Sequence, residues 1–166
     1  MNRRTLLLGA SALGALAACG DSGKFVAYKG PPVTQVQVYK SKRMMYLLSG
    51  DKVLESYKIG LGGDPVGPKH FEGDGKTPEG FYYINRRNPN SAYYLSLGIS
   101  YPNTQDMAFA EAQGKSPGGD IFIHGRDGKN KGKGSDWTAG CIAVKDKEIR
   151  DIYAMVRDGT PIFIFP

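Results

Sequence analysis

Asp120-Ile121-Phe122-Ile123-His124-Gly125 and, from position 138, Thr138-Ala139-Gly140-Cys141-Ile142 decide how this chain is read. In the first run Ile121 and Ile123 alternate with Phe122 and His124, so both faces are largely apolar and the segment predicts a buried strand that ends on an imidazole. The second run places a thiol after a glycine turn. The two groups can meet only if the loop between them folds back. Outward from this pair the chain keeps strand rhythm. Val36 and Val38 alternate with Gln35 and Gln37, while segments 44–49 and 53–59 flank Gly50-Asp51 as a hairpin. A glycine-rich loop follows over 60–80, then strand-like segments at 81–84 and 94–99. Asn103 with Asp106 three residues on predicts a helix start and Gly114 its stop. Ile149, Ile152, Tyr153 and Val156 fall at helical spacing within 145–158, closed by Gly159, and 161–165 reads as a final strand. The class is mainly β with two helices (α+β), either a sandwich or a partly closed mixed barrel.

A thiol is a poor nucleophile until ionised, and an ordinary cysteine, with a pKa of about 8.5, is only a few per cent thiolate at neutral pH. His124 could take the proton. Arg126, Lys129, Lys131 and Lys133 in the intervening loop would favour the thiolate if they approach. Gly140 could let its own N–H and that of Cys141 converge on an oxyanion. On the pair alone a second reading stays open, in which Cys141 is a small buried apolar group.

The first residues predict export. Met1-Asn2-Arg3-Arg4 is basic, segment 5–16 is apolar and small, and Leu16-Ala17-Ala18-Cys19 resembles the bacterial lipobox, which implies cleavage before Cys19 and acylation of that cysteine. An ordinary signal with an incidental Cys19 is the alternative. Arg3-Arg4 also resembles a twin-arginine signal, against a plain basic start. The organisation expected is a signal at 1–18, a tether at 19–32 and a single domain at 33–166, in an exported lipoprotein of the periplasm or cell envelope held to the membrane through Cys19. Without the leader the net charge falls from +6 to +4, because two arginines and no acids leave with it. Mild basicity suits anionic wall or membrane surroundings, or simply a well-solvated surface, which is the plainer reading of net charge alone; with no basic helix carrying interleaved aromatics it gives no argument for nucleic acid, and none is expected as a partner. A monomer is the default.

His124-Gly125, a glycine-rich loop and then Thr138-x-Gly140-Cys141-Ile142 resemble the signature of the L,D-transpeptidase catalytic domain of YkuD type, cysteine enzymes that remodel bacterial peptidoglycan. The run from Gly73 to Tyr82, the opening hairpin from Val36 to Gly60 and the closing Gly159-Thr160-Pro161-Ile162 are similar to that family too, so the resemblance covers 33–166. It implies that Cys141 is the nucleophile and His124 the base, that the Gly125 carbonyl holds the imidazole, and that Gly140 and Cys141 supply oxyanion N–H groups. It also implies a thioester on Cys141, formed with a peptidoglycan stem peptide and resolved by an amine in a cross-link or attachment. Resolution by water would make a carboxypeptidase or endopeptidase, and a non-catalytic wall-binding module is the remaining alternative. Two positions depart from the family. Ala139 stands where many members have a second histidine, and Ala143 where they have arginine or asparagine, so either the substrate carboxylate meets another cation, such as Arg126 or a loop lysine, or the reaction has shifted. Asp136-Trp137-Thr138 resembles a subgroup that includes hydrolases. Substrate contacts are expected at Arg126, Trp137, Thr138 and Ala139. No cofactor is expected and no metal, since His70, Asp74, His124 and Cys141 show no ligand spacing.

Plainer readings are set beside these. His70 reads as an exposed loop histidine or a groove residue, Trp137 as a core cap or a wall beside Cys141, and the loop lysines as solvated or as contacts to anionic stems. Tyr82, Tyr83, Tyr93 and Tyr94 read as core and rim, and Gly118-Gly119 as turn chemistry.

Overall fold

The computed structural model describes residues 23–129 and 135–166. The leader expected at 1–18, Cys19, and Lys131 and Lys133 lie outside the described residues. The elements run β1 (Gln35–Tyr39), β2 (Met44–Ser49), β3 (Lys52–Lys58), β4 (Gly80–Asn88), β5 (Ser96–Ile99), α1 (Thr104–Ala112), β6 (Phe122–His124), β7 (Ile142–Ala143), α2 (Asp146–Met155) and β8 (Pro161–Phe165). The strands order as β3-β2-β1-β8-β4-β5-β6-β7, with β1 parallel to β8, β6 parallel to β7 and the other neighbours antiparallel.

Strand β4 joins two halves of this sheet. Gly80–Tyr83 pair with β8, Ile84–Asn88 pair with β5, and an irregularity between Ile84 and Arg86 falls where the partner changes. Such a slip bends the strand and tightens its twist, so the sheet curls. The curl brings the two ends together. Gly60, just past β3, and Ala143, in β7, exchange two backbone hydrogen bonds of 2.8 Å each. Of the two architectures open from sequence, the curled, partly closed mixed barrel is the one formed.

Alternation explains the core. Val36, Val38, Met45, Leu47, Leu97 and Ile123 are wholly buried. Helix α2 lays Ile149 and Ile152, both fully buried, against β5 and β6 and so supports the strands that carry His124. The expected cap of α1 is present. Asn103 Oδ1 accepts from the Gln105 and Asp106 N–H groups at 2.9 and 3.0 Å, and Asp106 Oδ2 accepts from the Asn103 N–H at 2.9 Å.

Strand β4 runs on to Asn88 where the sequence reading ended at 84, β3 lies one residue earlier than read, and three further boundaries differ for a reason in the backbone. Tyr94 takes a positive φ of 77°, which cannot continue a strand, so β5 begins at Ser96. The strand before His124 is confined to Phe122–His124 because Asp120 also has positive φ, 53°. Helix α2 stops at Met155, with Val156 extended (φ −91°, ψ 133°), and Gly159 (φ 84°) serves the turn into β8 instead.

Two buried lysines fasten the glycine-rich loop. Lys40, 2% exposed, donates to the Gly67 and Thr77 carbonyls (2.6 and 2.9 Å) and to Glu79 Oε1 (2.8 Å), and burial pulls its pKa down. Lys69, 3% exposed, donates to the Phe71 carbonyl and Asp74 Oδ1, each at 2.8 Å. Burial raises the pKa of Asp74, but the Lys69 bond and the N–H groups of Phe71, His70 and Lys76 outweigh it and hold the carboxyl at about 2.

Candidate active site

The loop entering Cys141 is shaped by close backbone approach. Gly140 has φ 133°, a region for glycine, and a Cβ there would stand 2.6 Å from the Lys76 carbonyl. Thr138 organises the turn: its Oγ1–H donates to the Cys141 carbonyl at 2.7 Å, and its Oγ1 accepts the Gly140 N–H at 3.1 Å. That bond already occupies one of the two N–H groups that the family resemblance assigns to an oxyanion, and the Cys141 N–H is the other. Asp136 ties the same loop to the rest of the fold. It receives Arg43 in a forked ion pair (Nη2 to Oδ2 2.7 Å) and the Leu61 N–H at 3.1 Å.

His124 is 4% exposed and stands beside the loop because β6 and β7 are parallel neighbours, with His124 paired to Ala143, two residues after the cysteine. Its Nδ1 lies 2.6 Å from the Gly125 carbonyl. A carbonyl can only accept, so Nδ1 carries the proton and Nε2 keeps its lone pair in the neutral ring. Gly125 is itself held. Asp146 Oδ1 accepts the next two N–H groups, of Arg126 at 2.6 Å and Asp127 at 3.0 Å, and a Cβ on Gly125 would stand 2.6 Å from that oxygen and 2.8 Å from the Tyr93 carbonyl. The ring packs between Tyr93 (centroids 4.6 Å) and Trp137 (5.8 Å, edge to face).

His124 and Cys141 both line a cavity of about 510 Å³, together with Tyr93, Trp137, Thr138 and Ala139. The sulfur is half-buried. It accepts the Phe122 N–H at 3.4 Å and donates to the Asp120 carbonyl at 3.5 Å, and no hydrogen bond joins it to the imidazole. Burial pushes the Cys141 pKa above its usual value, against the Phe122 N–H that lowers it, while Asp120 raises it and Lys69 lowers it. Burial likewise draws the His124 pKa down, the Gly125 bond opposes this, and Arg126 adds to it. Both shifts favour a neutral thiol beside a neutral imidazole at rest. Among the described residues Lys69 is the cation that lowers the thiol pKa, a residue the sequence reading did not name for this role, while Lys131 and Lys133 lie outside the described residues. Arg126 instead stands over Trp137, its Cζ 5.7 Å from the ring, and Lys129 Nζ lies 4.4 Å from the Tyr93 ring, so both reach the aromatic wall of the cavity.

Trp137 is therefore a wall residue, with its buried Nε1 making no hydrogen bond. His70 is half-buried and stacks on Phe109 at 4.2 Å, outside the cavity lining. The four tyrosines divide: Tyr82 is core, Tyr83 is exposed, Tyr94 packs at the core edge and Tyr93 faces the cavity. Ala143 is fully buried, and Ala139 is exposed at the rim. Sequence reasoning missed Asp146, Tyr93 and the Phe122 N–H.

Residues 34–164 match the family model described as the L,D-transpeptidase catalytic domain (YkuD). The chain is 34% identical over 134 residues to Escherichia coli K12 YafK, an L,D-transpeptidase by provisional name, covering 76% of this chain and 48% of that protein. It thus spans about half the length of the curated relatives it matches. Among solved structures, the helical cell shape determining protein Pgp2 from Campylobacter jejuni superposes with a TM-score of 0.62 at 30% identity, over 88% of this chain and 51% of that one. An Enterococcus faecium L,D-transpeptidase shares the fold at 17% identity, with a TM-score of 0.52 over 81% of this chain and 50% of that one.

Proposed function

Because this chain belongs to the L,D-transpeptidase catalytic-domain family, we propose that it is a cysteine acyltransferase acting on peptidoglycan stem peptides. The observation that carries the reading is the pairing, on one cavity, of a half-buried thiol with an imidazole whose Nδ1 is locked on the Gly125 carbonyl and whose Nε2 is left to accept. In the proposed reaction a stem peptide enters the cavity and displaces water. Nε2 takes the Sγ proton as sulfur attacks the carbonyl of the third stem residue, and the Cys141 N–H receives the oxyanion. The C–N bond breaks, Nε2–H protonates the departing amine of the terminal D-amino acid, and a thioester remains on Cys141. An acceptor amine then attacks, giving its proton to Nε2. The thiolate leaves and is reprotonated.

The neutral resting pair gives the substrate a part in activation, since the proton moves only when the new S–C bond offsets the cost of charge in a buried site. Arg126, beside Trp137 at the rim, is the residue proposed to hold the stem carboxylate that Ala143 cannot reach from its buried position. The leader sequence supports an exported lipoprotein anchored through Cys19 at the cell envelope. Incubation with purified tetrapeptide muropeptides tests the activity. Cross-linked dimers formed by the native protein and absent with Cys141→Ser are expected, shortened stems would select the hydrolase, and binding without products the inert module.

A further inference from the structure

A second cavity, of about 320 Å³, lies between the segment Phe25 to Tyr28 and the outer side of α2, away from Cys141. Three guanidinium groups line it: Arg87, Arg150 and Arg157. Arg87 is committed. It donates to the Tyr153 carbonyl at 2.6 Å and to that of Val156, and it stacks 4.0 Å over the Tyr153 ring, so it neutralises the carbonyl end of the helix. The other two keep donor capacity. Arg150 forms a long ion pair with Asp151 (Nε to Oδ1 3.7 Å), but its buried Nε makes no hydrogen bond, and Arg157 is exposed at the mouth. An unfilled buried donor beside a second cation, in a formed cavity, wants an anionic acceptor with several oxygens.

The wall of the cavity says which anion. Phe25, 56% exposed, extends an apolar edge from it and meets Tyr153 at 6.2 Å between centroids. Six residues upstream of Phe25 stands Cys19, and six residues span at most about 20 Å. With Cys19 acylated as proposed above, the cavity opens within that reach of the bilayer. We propose that this cavity binds the phosphate of an anionic phospholipid headgroup, with Arg150 and Arg157 on its oxygens and Phe25 against the acyl region. The domain would then sit with α2 toward the membrane.

The test uses the full chain carrying Cys19→Ser, titrated below micelle formation with dihexanoyl phosphatidylglycerol, dihexanoyl phosphatidylcholine and inorganic phosphate, with backbone NMR signals as readout. Saturable shifts at Phe25, Ala154 and Arg157 with phosphatidylglycerol, absent with the zwitterionic lipid, are expected. In the double variant Arg150→Gln, Arg157→Gln binding weakens by about tenfold or more, the worth of one charge-assisted hydrogen bond, while Cys141 alkylation stays unchanged and reports an intact fold. Equal binding of inorganic phosphate would make it a free-phosphate site and overturn the lipid assignment, as would the absence of saturable shifts. The inference rests on Cys19 as the anchor only for its geometry. Loss of acyl labelling at Cys19 in cells would sink the anchor and leave the titration standing, and a failed titration would leave the anchor intact.

Discussion

Replacing Gly125 by alanine tests whether the carbonyl that holds His124 is positioned by packing. The added methyl would lie 2.6 Å from Asp146 Oδ1, 2.8 Å from the Tyr93 carbonyl and 2.9 Å from Ile149 Cγ2, all inside contact distance. Two of these atoms cannot yield cheaply. Asp146 Oδ1 is bound to two backbone N–H groups, and Ile149 is fully buried in the helix that supports β6. Overpacking at such a site costs about 1–3 kcal/mol, which lowers Tm by roughly 2–10 °C in a domain of this size. The larger effect falls on turnover. Relief of the clash swings the 125–127 turn outward and takes the carbonyl from Nδ1, so the ring loses its fixed tautomer, and a displacement of about 1 Å is enough to cost on the order of a hundredfold in rate. Stem-peptide turnover and a thermal melt on the same preparation check both parts. Gly63→Ala is the control, because Gly63 is exposed and a Cβ there would meet nothing nearer than the Thr138 carbonyl at 4.0 Å. A Gly125→Ala protein with native turnover and native Tm would refute the reasoning.

Two further outcomes follow from the same structure. Burial raises the Cys141 pKa, so alkylation by iodoacetamide in the absence of substrate is expected to keep rising with pH beyond the midpoint of an ordinary cysteine; a plateau already reached at pH 6 would show a preformed thiolate–imidazolium pair. Lys40→Met removes the cation from three acceptors, one of them Glu79 at 17% side-chain exposure, and is expected to cost about 3–5 kcal/mol in a denaturant titration while the charge-neutral pair Lys40→Met, Glu79→Gln recovers part of it.

Period-two patterning made most strands legible: Val36 and Val38 point inward, and Gly50-Asp51 separates the hairpin at the expected place. Asn103 with Asp106 announced α1, because a cap is local chemistry. The joining of the barrel was not legible. Strand β7 has two residues, too few to show an alternation, and its bridge to Gly60 depends on a curl set far away at Ile84 and Arg86. The candidate site divides the same way. Cys141, His124 and the glycines around them are visible as a motif, and the structure places the cysteine and the histidine on one cavity. Asp146 was invisible because its ligands lie 19 and 20 positions earlier, and Lys69 because a lysine in a glycine-rich loop gives no sign of being buried beside Asp74. The direction of both site pKa shifts comes from burial, which no spacing reports.

The most direct measurement is the intact mass of the protein quenched in acid during reaction with a tetrapeptide stem donor. The account predicts a species heavier by the donor minus its terminal D-amino acid, mapped to Cys141, removed by hydroxylamine and absent from Cys141→Ala. Turnover by Cys141→Ala at the native rate, or an acyl group mapped to another residue, would contradict it.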